Sequence, residues 1–272
     1  MTEVPPSPDR VRAAVRLRYG AAALRDASSD LPMDGEACCG GGSSGAGCCG
    51  PTGSSCGDYS AEELSSLPPG ANLGLGCGNP GGLANLRLGE VVLDLGSGAG
   101  VDCFLAGERV GPAGRVIGVD MTPEMVSRAR EIARTSGRNH IEFRLGEIEH
   151  LPVADGSVDV VLSNCVINLA LDKLQVYREA FRVLSPGGRL AIADVLATRP
   201  IAPALRADPE RWSSCSSGAL TVAETEEALR QAGFSDVEVT LLGPSAGADS
   251  LKGPAELGVV PGSIRAVKPL GR

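Results

Sequence analysis

The chain has 272 residues, a formal net charge of -8, 37 glycines and nine cysteines, and only 3% of its residues are aromatic. That charge excludes a surface built to neutralise nucleic-acid phosphates, and no apolar run reaches the roughly 20 residues that cross a bilayer. The start, MTEVPPSPDR, lacks the basic and apolar regions of a secretory signal. A cytoplasmic setting is expected. There an odd set of nine thiols reads as ligands, redox groups or core rather than as a disulfide framework.

In chain order, Val11, Val15 and Tyr19 repeat on one face of a helix predicted within 4–25. The stretch 26–57 is crowded with Gly, Ser and Cys and has no period, so it reads as a flexible segment bearing Cys38, Cys39, Cys48, Cys49 and Cys56. Ser60 with Glu63 spells a capping box for a short helix that Pro68-Pro69-Gly70 stops. GLGCGNPGG (74–82) reads as a glycine-rich loop carrying Cys77, placed to fold over a ligand as a lid.

Next comes VVLDLGSGAGVDCFLAGERVGPAGRVIGVD, from Val91 to Asp120. Its pattern is a buried strand, a glycine turn, a helix over 101–110 and a second strand closing on an acid, which is a βαβ unit. Further strands are predicted at 141–145, 158–164, 189–196, 237–242 and 264–267, the last as an edge strand. Helices are predicted at 123–136 behind Thr122, at 172–184, and at 221–232 behind a Thr221/Glu224 capping box. Alternating βα units imply a doubly wound, mainly parallel α/β sheet of seven strands, with ligands at the C-terminal strand ends. Three segments follow: a Cys-bearing arm over 1–70, a core over 71–197, and an insertion with final strands over 198–272.

The turn Gly96-Ser97-Gly98-Ala99-Gly100, with Asp94 before it and Asp120 after it, resembles the S-adenosylmethionine site of class I (Rossmann-like) methyltransferases. A helix N-terminus behind a tight turn admits a ligand to the backbone, and Asp120 can hold a ribose diol. The acceptor must be read elsewhere. An acceptor that carries a proton wants a general base, and the chain has two histidines, His140 and His150. His150, in the loop after a strand, reads as a surface residue before it reads as a base.

Thiols at strand ends and in loops are the unusual feature. Cys165 follows the fourth strand and Cys215 sits in the insertion, while Cys103 reads as a small buried hydrophobe. Thiolates select soft acceptors, a thiophilic metal or metalloid. Trivalent arsenic would offer its own lone pair and need no base. Zinc is the rival ligand, but positions 38, 39, 48, 49, 56 and 77 contain no CxxC pair, which disfavours a structural zinc site.

GVDMTPEM (118–125), RLGEIEHLPVADGSVDVVLSNCVINL (144–169), EAFRVLSPGGRLAIADV (179–195) and the run from Cys215 to Leu220 resemble arsenite methyltransferases over about 19–234. The resemblance implies constant arsenic ligation by Cys165 and Cys215. It gives Cys38 and Cys77 the roles of third ligand and reducing disulfide, with Cys77 in the arsenic set. It places S-adenosylmethionine on Gly96, Gly98, Asp120, Met121, Glu147, Ile148 and Asn164, beside the Asp94 and Gly100 of the motif. It also implies arsenite or its glutathione conjugate as substrate, detoxification as purpose, and glutathione or thioredoxin as the thiol reductant. Where that family often carries Tyr before the GCG loop, this chain has Leu73 and Leu75. Two other readings share the core: a methyltransferase of a quinone or lipid precursor, and a non-catalytic metalloid-binding thiol protein.

Overall fold

The computed structural model describes residues 7–24, 59–206, 212–242 and 258–271. Its centre is a seven-stranded sheet in the order β3-β2-β1-β4-β5-β7-β6. The strands are β1 (Val91–Leu95), β2 (Arg115–Asp120), β3 (Ile141–Leu145), β4 (Val158–Asn164), β5 (Leu184–Ala197), β6 (Ser235–Leu241) and β7 (Val259–Val267). All pairs among β1 to β5 are parallel, and β7 runs antiparallel to both β5 and β6. The doubly wound sheet expected from the sequence is the fold.

Both faces of the sheet are covered, which is why its strands read as unbroken apolar runs rather than alternating ones. On one face Leu93, Val161 and Ile192 pack with Tyr177 and Leu229, from helices introduced here as α6 (Lys173–Val183) and α8 (Val222–Ala232). On the other face Val92, Val116 and Val160 pack with Phe104, Val126 and Ala84. Those belong to α4 (Val101–Val110), α5 (Pro123–Thr135) and α3 (Pro80–Ala84). Adjacent residues of one strand, Val92 and Leu93, thus serve opposite cores, as the two-residue period of a strand requires.

Three expectations change. Pro80-Gly81-Gly82, read as loop, opens helix α3, with Pro80 at the start and Asn79 accepting from the Gly82 N–H at 2.9 Å. Strand β5 begins at Leu184, through the Pro-Gly-Gly expected to precede it. It pairs Leu184 with Val158 and then jumps register to set Arg189 beside Val160. The last strand is longer than 264–267 and lies inside the sheet, so β6 forms the edge. Ile264 and Ala266 are buried in the core while Arg265 pairs with Glu238 across the ladder. Alternation too short to recognise in the sequence is set by neighbours on both sides.

At the N-terminus, α1 (Pro8–Ala23) is capped by Ser7, and α2 (Ala61–Ser66) carries the predicted capping box. Val11 and Val15 of α1 pack on Trp212 of the insertion, and the Arg128 guanidinium of α5 donates to Ala23 O at 2.8 Å. A short helix α7 (Pro203–Arg206) opens the insertion. Helix α1 and the insertion therefore meet over the C-terminal edge of the parallel strands. The predicted flexible segment with Cys38, Cys39, Cys48, Cys49 and Cys56 lies outside the described residues.

Candidate functional site

A cleft of about 1120 Å³, counting its open mouth, lies at the C-terminal ends of β1, β2 and β4. Its floor is the glycine turn. Gly96 has φ +68, and a Cβ there would stand 2.3 Å from Val166, so only glycine lets the turn pass beneath the segment that follows β4. Gly98 and Asp120 both line the cleft. Asp120 accepts from the backbone N–H of Gly98 at 2.9 Å and of Thr122 at 2.8 Å. Thr122 stands at the N-cap of α5 as predicted, but its side chain makes no cap bond. Burial pushes the Asp120 carboxyl up and these backbone donors pull it back.

Below this floor is a buried acidic layer. The Asp94 carboxylate accepts from the Cys103 thiol at 3.3 Å, and burial followed by the charge of Asp102 pushes it well above the usual range. Cys103 is the buried residue the sequence suggests. Asp102, in the first turn of α4, accepts from Tyr59 OH at 2.7 Å and from Asn164 Nδ2 at 3.1 Å, and burial raises it to about 6. Tyr59 is itself pushed up by burial and by Asp102. Tyr59 and Asp102 line the cleft and were not singled out in the sequence. An acid among the apolar residues of Val101–Val110 was the available signal.

The expected donor contacts divide into two groups. Gly96, Gly98, Asp120, Met121, Ile148 and Asn164 line the cleft. Asp94 and Gly100 support the turn from behind, and Glu147 turns outward into ion pairs with Arg12 and Arg16 of α1. The Asn164 side chain spends its hydrogen bonds on protein. Its Oδ1 accepts from the Cys77 N–H at 3.0 Å, while its Nδ2 donates to Tyr59 OH and to Gly78 O, both at 2.8 Å. Asn164 thereby pins the GCG loop over the cleft, which makes that loop a fixed wall. The residues present suit S-adenosylmethionine: a glycine cradle, an acid for a diol, and Ser97 Oγ, buried without a hydrogen-bond partner among the described residues.

The pinned loop brings Cys77 to Cys165, and the two are disulfide-bonded across a Cα–Cα distance of 6.0 Å. The disulfide implied for Cys77 had Cys38 as partner; here the partner is Cys165, and Cys38 lies outside the described residues. Cys165 has φ +53 and Cys215 φ +65, a left-handed backbone that cysteine rarely adopts. Residues held this way concentrate at functional sites. The Cys215 thiol donates to Cys165 O at 3.0 Å and lies 3.6 Å from Tyr19 OH. An aromatic hydroxyl thus reaches the thiols from α1 rather than from the GCG loop.

The insertion is held by Trp212, whose Nε1 donates to Leu169 O at 2.9 Å under the Lys173 ammonium. A Cβ at Gly218 would sit 2.0 Å from Asn168 O, so only glycine allows the insertion this close to the turn after β4. Asp194 of β5 completes the region. Its carboxylate and the sulfurs of Cys77 and Cys165 all lie within 4.8 Å of one another, a group that does not include Cys215. Burial lifts Asp194 to about 7 and lowers Lys173 to about 8. No imidazole among the described residues lines the cleft. His150 is exposed, and His140 sits by Gly107 O at 3.2 Å.

The profile of the family described as "Methyltransferase domain" matches residues 86–233. An arsenite methyltransferase of Halobacterium salinarum is 48% identical over 238 residues, 85% of this chain and 59% of that protein. One of Aquipseudomonas alcaligenes is 47% identical over 152 residues, 53% of this chain and 44% of that protein. The chain therefore spans about half of the length of these relatives. The crystal structure of an arsenic(III) S-adenosylmethionine methyltransferase from Chlamydomonas reinhardtii superposes with a TM-score of 0.60. It is 34% identical and covers 78% of this chain and 71% of its own. On the family match over 86–233 and on 34% identity to a solved arsenic(III) methyltransferase of which it covers 71%, this chain belongs to the arsenite S-adenosylmethionine methyltransferase family of class I methyltransferases.

Proposed function

We propose that this chain transfers a methyl group from S-adenosylmethionine to trivalent arsenic held by Cys77, Cys165 and Cys215. The observation that carries this reading is the meeting of these three cysteines at one wall of the cleft: Cys77 bonded to Cys165, and the Cys215 thiol on Cys165 O. S-adenosylmethionine supplies an electrophilic methyl on a sulfonium. The glycine turn and Asp120 seat it with its reactive end toward Cys165, and the Asp102–Tyr59–Asn164 cluster gives the cleft a polar wall beside the thiols. Arsenic offers a lone pair and has no proton to lose, so the lack of imidazole in the cleft is no handicap. Positioning supplies most of the rate, as it does wherever two reactants are held in line.

As the arsenic lone pair takes the methyl, arsenic rises from the trivalent to the pentavalent state. Two thiolates then return two electrons and join as a disulfide. Cys77 belongs to that pair, with Cys38 or Cys165 as its partner. A small thiol such as glutathione, or a thioredoxin-type dithiol, resets the pair by exchange, and the arsenite arrives as a thiol conjugate. The activity serves arsenic detoxification in the cytoplasm. Reduced protein with S-adenosylmethionine, thiol and arsenite should yield methylated arsenicals on speciation. Normal methylation of arsenite by Cys165→Ser would overturn the proposal.

A further inference from the structure

Methyl transfer to a three-sulfur arsenic site makes no use of Asp194, whose buried carboxylate feels the nearby Lys173 ammonium. Its side chain is 4% exposed. One oxygen, Oδ1, accepts from Asn168 Nδ2 and from the Val195 N–H, both at 2.8 Å. The other, Oδ2, is buried with no hydrogen-bond partner among the described residues. A buried carboxylate oxygen left in that state is costly unless a cation or donor meets it. Within 4.8 Å of this carboxylate are the sulfurs of Cys77 and Cys165, brought there from a loop and a strand end far apart in sequence.

We propose that the reduced chain binds a thiophilic divalent cation, zinc being the probe, between the Cys77 and Cys165 thiolates and the Asp194 carboxylate. Zinc takes thiolate sulfur at about 2.3 Å and carboxylate oxygen at about 2.0–2.2 Å in a tetrahedron, which sets ligand atoms roughly 3.5–4 Å apart. Opening the Cys77–Cys165 bond frees the two sulfurs to move apart toward that spacing beside the Asp194 carboxylate. Three anionic ligands suit a divalent cation, and one position stays open to water. The Asn168 and Val195 donors orient the carboxylate as outer-shell partners do at metal sites. Half-buried Cys77, on the loop, gives the cation its way in.

Loading begins with reduction. Two small thiols convert the Cys77–Cys165 disulfide into two cysteine thiols and leave as their own disulfide. The cation then displaces one proton from each cysteine to water. Since two of the ligands are those assigned to arsenic, zinc and arsenite exclude one another, and zinc inhibits methylation. Spacing along the chain hid this site, because no two of its ligands are sequence neighbours.

The test starts from a full-length variant with Cys38, Cys39, Cys48, Cys49 and Cys56 replaced by serine, reduced and desalted. Zinc titration against a chromophoric chelator should show one equivalent bound, and none after the disulfide is re-formed. Asp194→Asn should weaken zinc about tenfold or more, with folding checked by S-adenosylmethionine binding. Cys215→Ser should leave zinc in place while arsenite binding falls, so failure here and failure of the methylation reading are separate results. X-ray absorption of the zinc-loaded parent, which needs no further variant, should count two sulfurs with the remaining ligands oxygen. Three or more sulfurs, or unchanged zinc affinity in Asp194→Asn, would overturn the site.

Discussion

The donor side of the cleft is built mainly from thirty consecutive residues, Val91 to Asp120, with Met121, Ile148 and Asn164 added, whereas its thiol side is gathered from positions 77, 165 and 215. The first uses backbone: a glycine turn, a helix N-terminus and an acid at a strand end. The second uses side chains on strained backbone, with Cys165 and Cys215 both left-handed. Local geometry suffices where the ligand meets main chain. Where three sulfurs must converge, distant segments have to be pinned, here by Asn164 under the GCG loop and by Trp212 under the insertion.

The sharpest way to separate the two sides is Cys165→Ser. Methyl transfer should fall by roughly 10³-fold or more, since positioning is what the thiols supply, while donor affinity measured by calorimetry stays within about twofold. Next, Gly96→Ala forces a Cβ into Val166 at φ +68. A loss of about 2–4 kcal/mol is expected from overpacking plus left-handed strain, read in urea unfolding together with donor binding. Asp120→Ala should weaken the donor by about 10- to 100-fold, the worth of one or two charge-assisted hydrogen bonds. Arsenite binding should be unaffected, and a parallel fall would break the division.

The acidic layer makes a pH prediction. Asp102 at about 6 and Asp194 at about 7 are both raised by burial, as are Asp94 and Asp120. Between their unfolded values near 4 and these folded values the native state holds protons that the unfolded chain releases, so stability falls as pH rises from about 4.5 to 7. The lowered carboxylates Glu63, Glu90, Glu142 and Glu179 act in the opposite sense, below about pH 4.5. Asp102→Asn should remove about 1–3 kcal/mol of that decline, seen as a flatter dependence of urea midpoint on pH. The smallest effect is Arg16→Ala. Its ion pair to Glu147 is half exposed, so stability should move by no more than about 0.5 kcal/mol.

Much of the fold was legible because its signals are local. The periodic runs of Val101–Val110 and Ile141–Leu145 carry their own ends, as do the two capping boxes. Strand β7 was shortened and misplaced because its company, β5 on one side and β6 on the other, is not written in its own residues. The same holds at the site. Gly96, Gly98 and Asp120 could be read from one motif. Tyr59 and Asp102 could not, since an ordinary Tyr and a helical Asp become a polar wall only through Asn164, a hundred and five positions from Tyr59.

By itself the sequence determined the doubly wound sheet, the glycine turn with its closing acid, and which thiols stand at strand ends. Those depend on spacing within a few turns of chain, where steric and hydrogen-bonding preferences act without help. Tertiary structure alone decided that Cys77 meets Cys165, that Tyr19 comes to Cys215, and that a buried carboxylate at Asp194 faces the sulfur pair. Contacts across the sheet cost loop-closure entropy repaid by the whole core, so no short stretch of the chain can specify them.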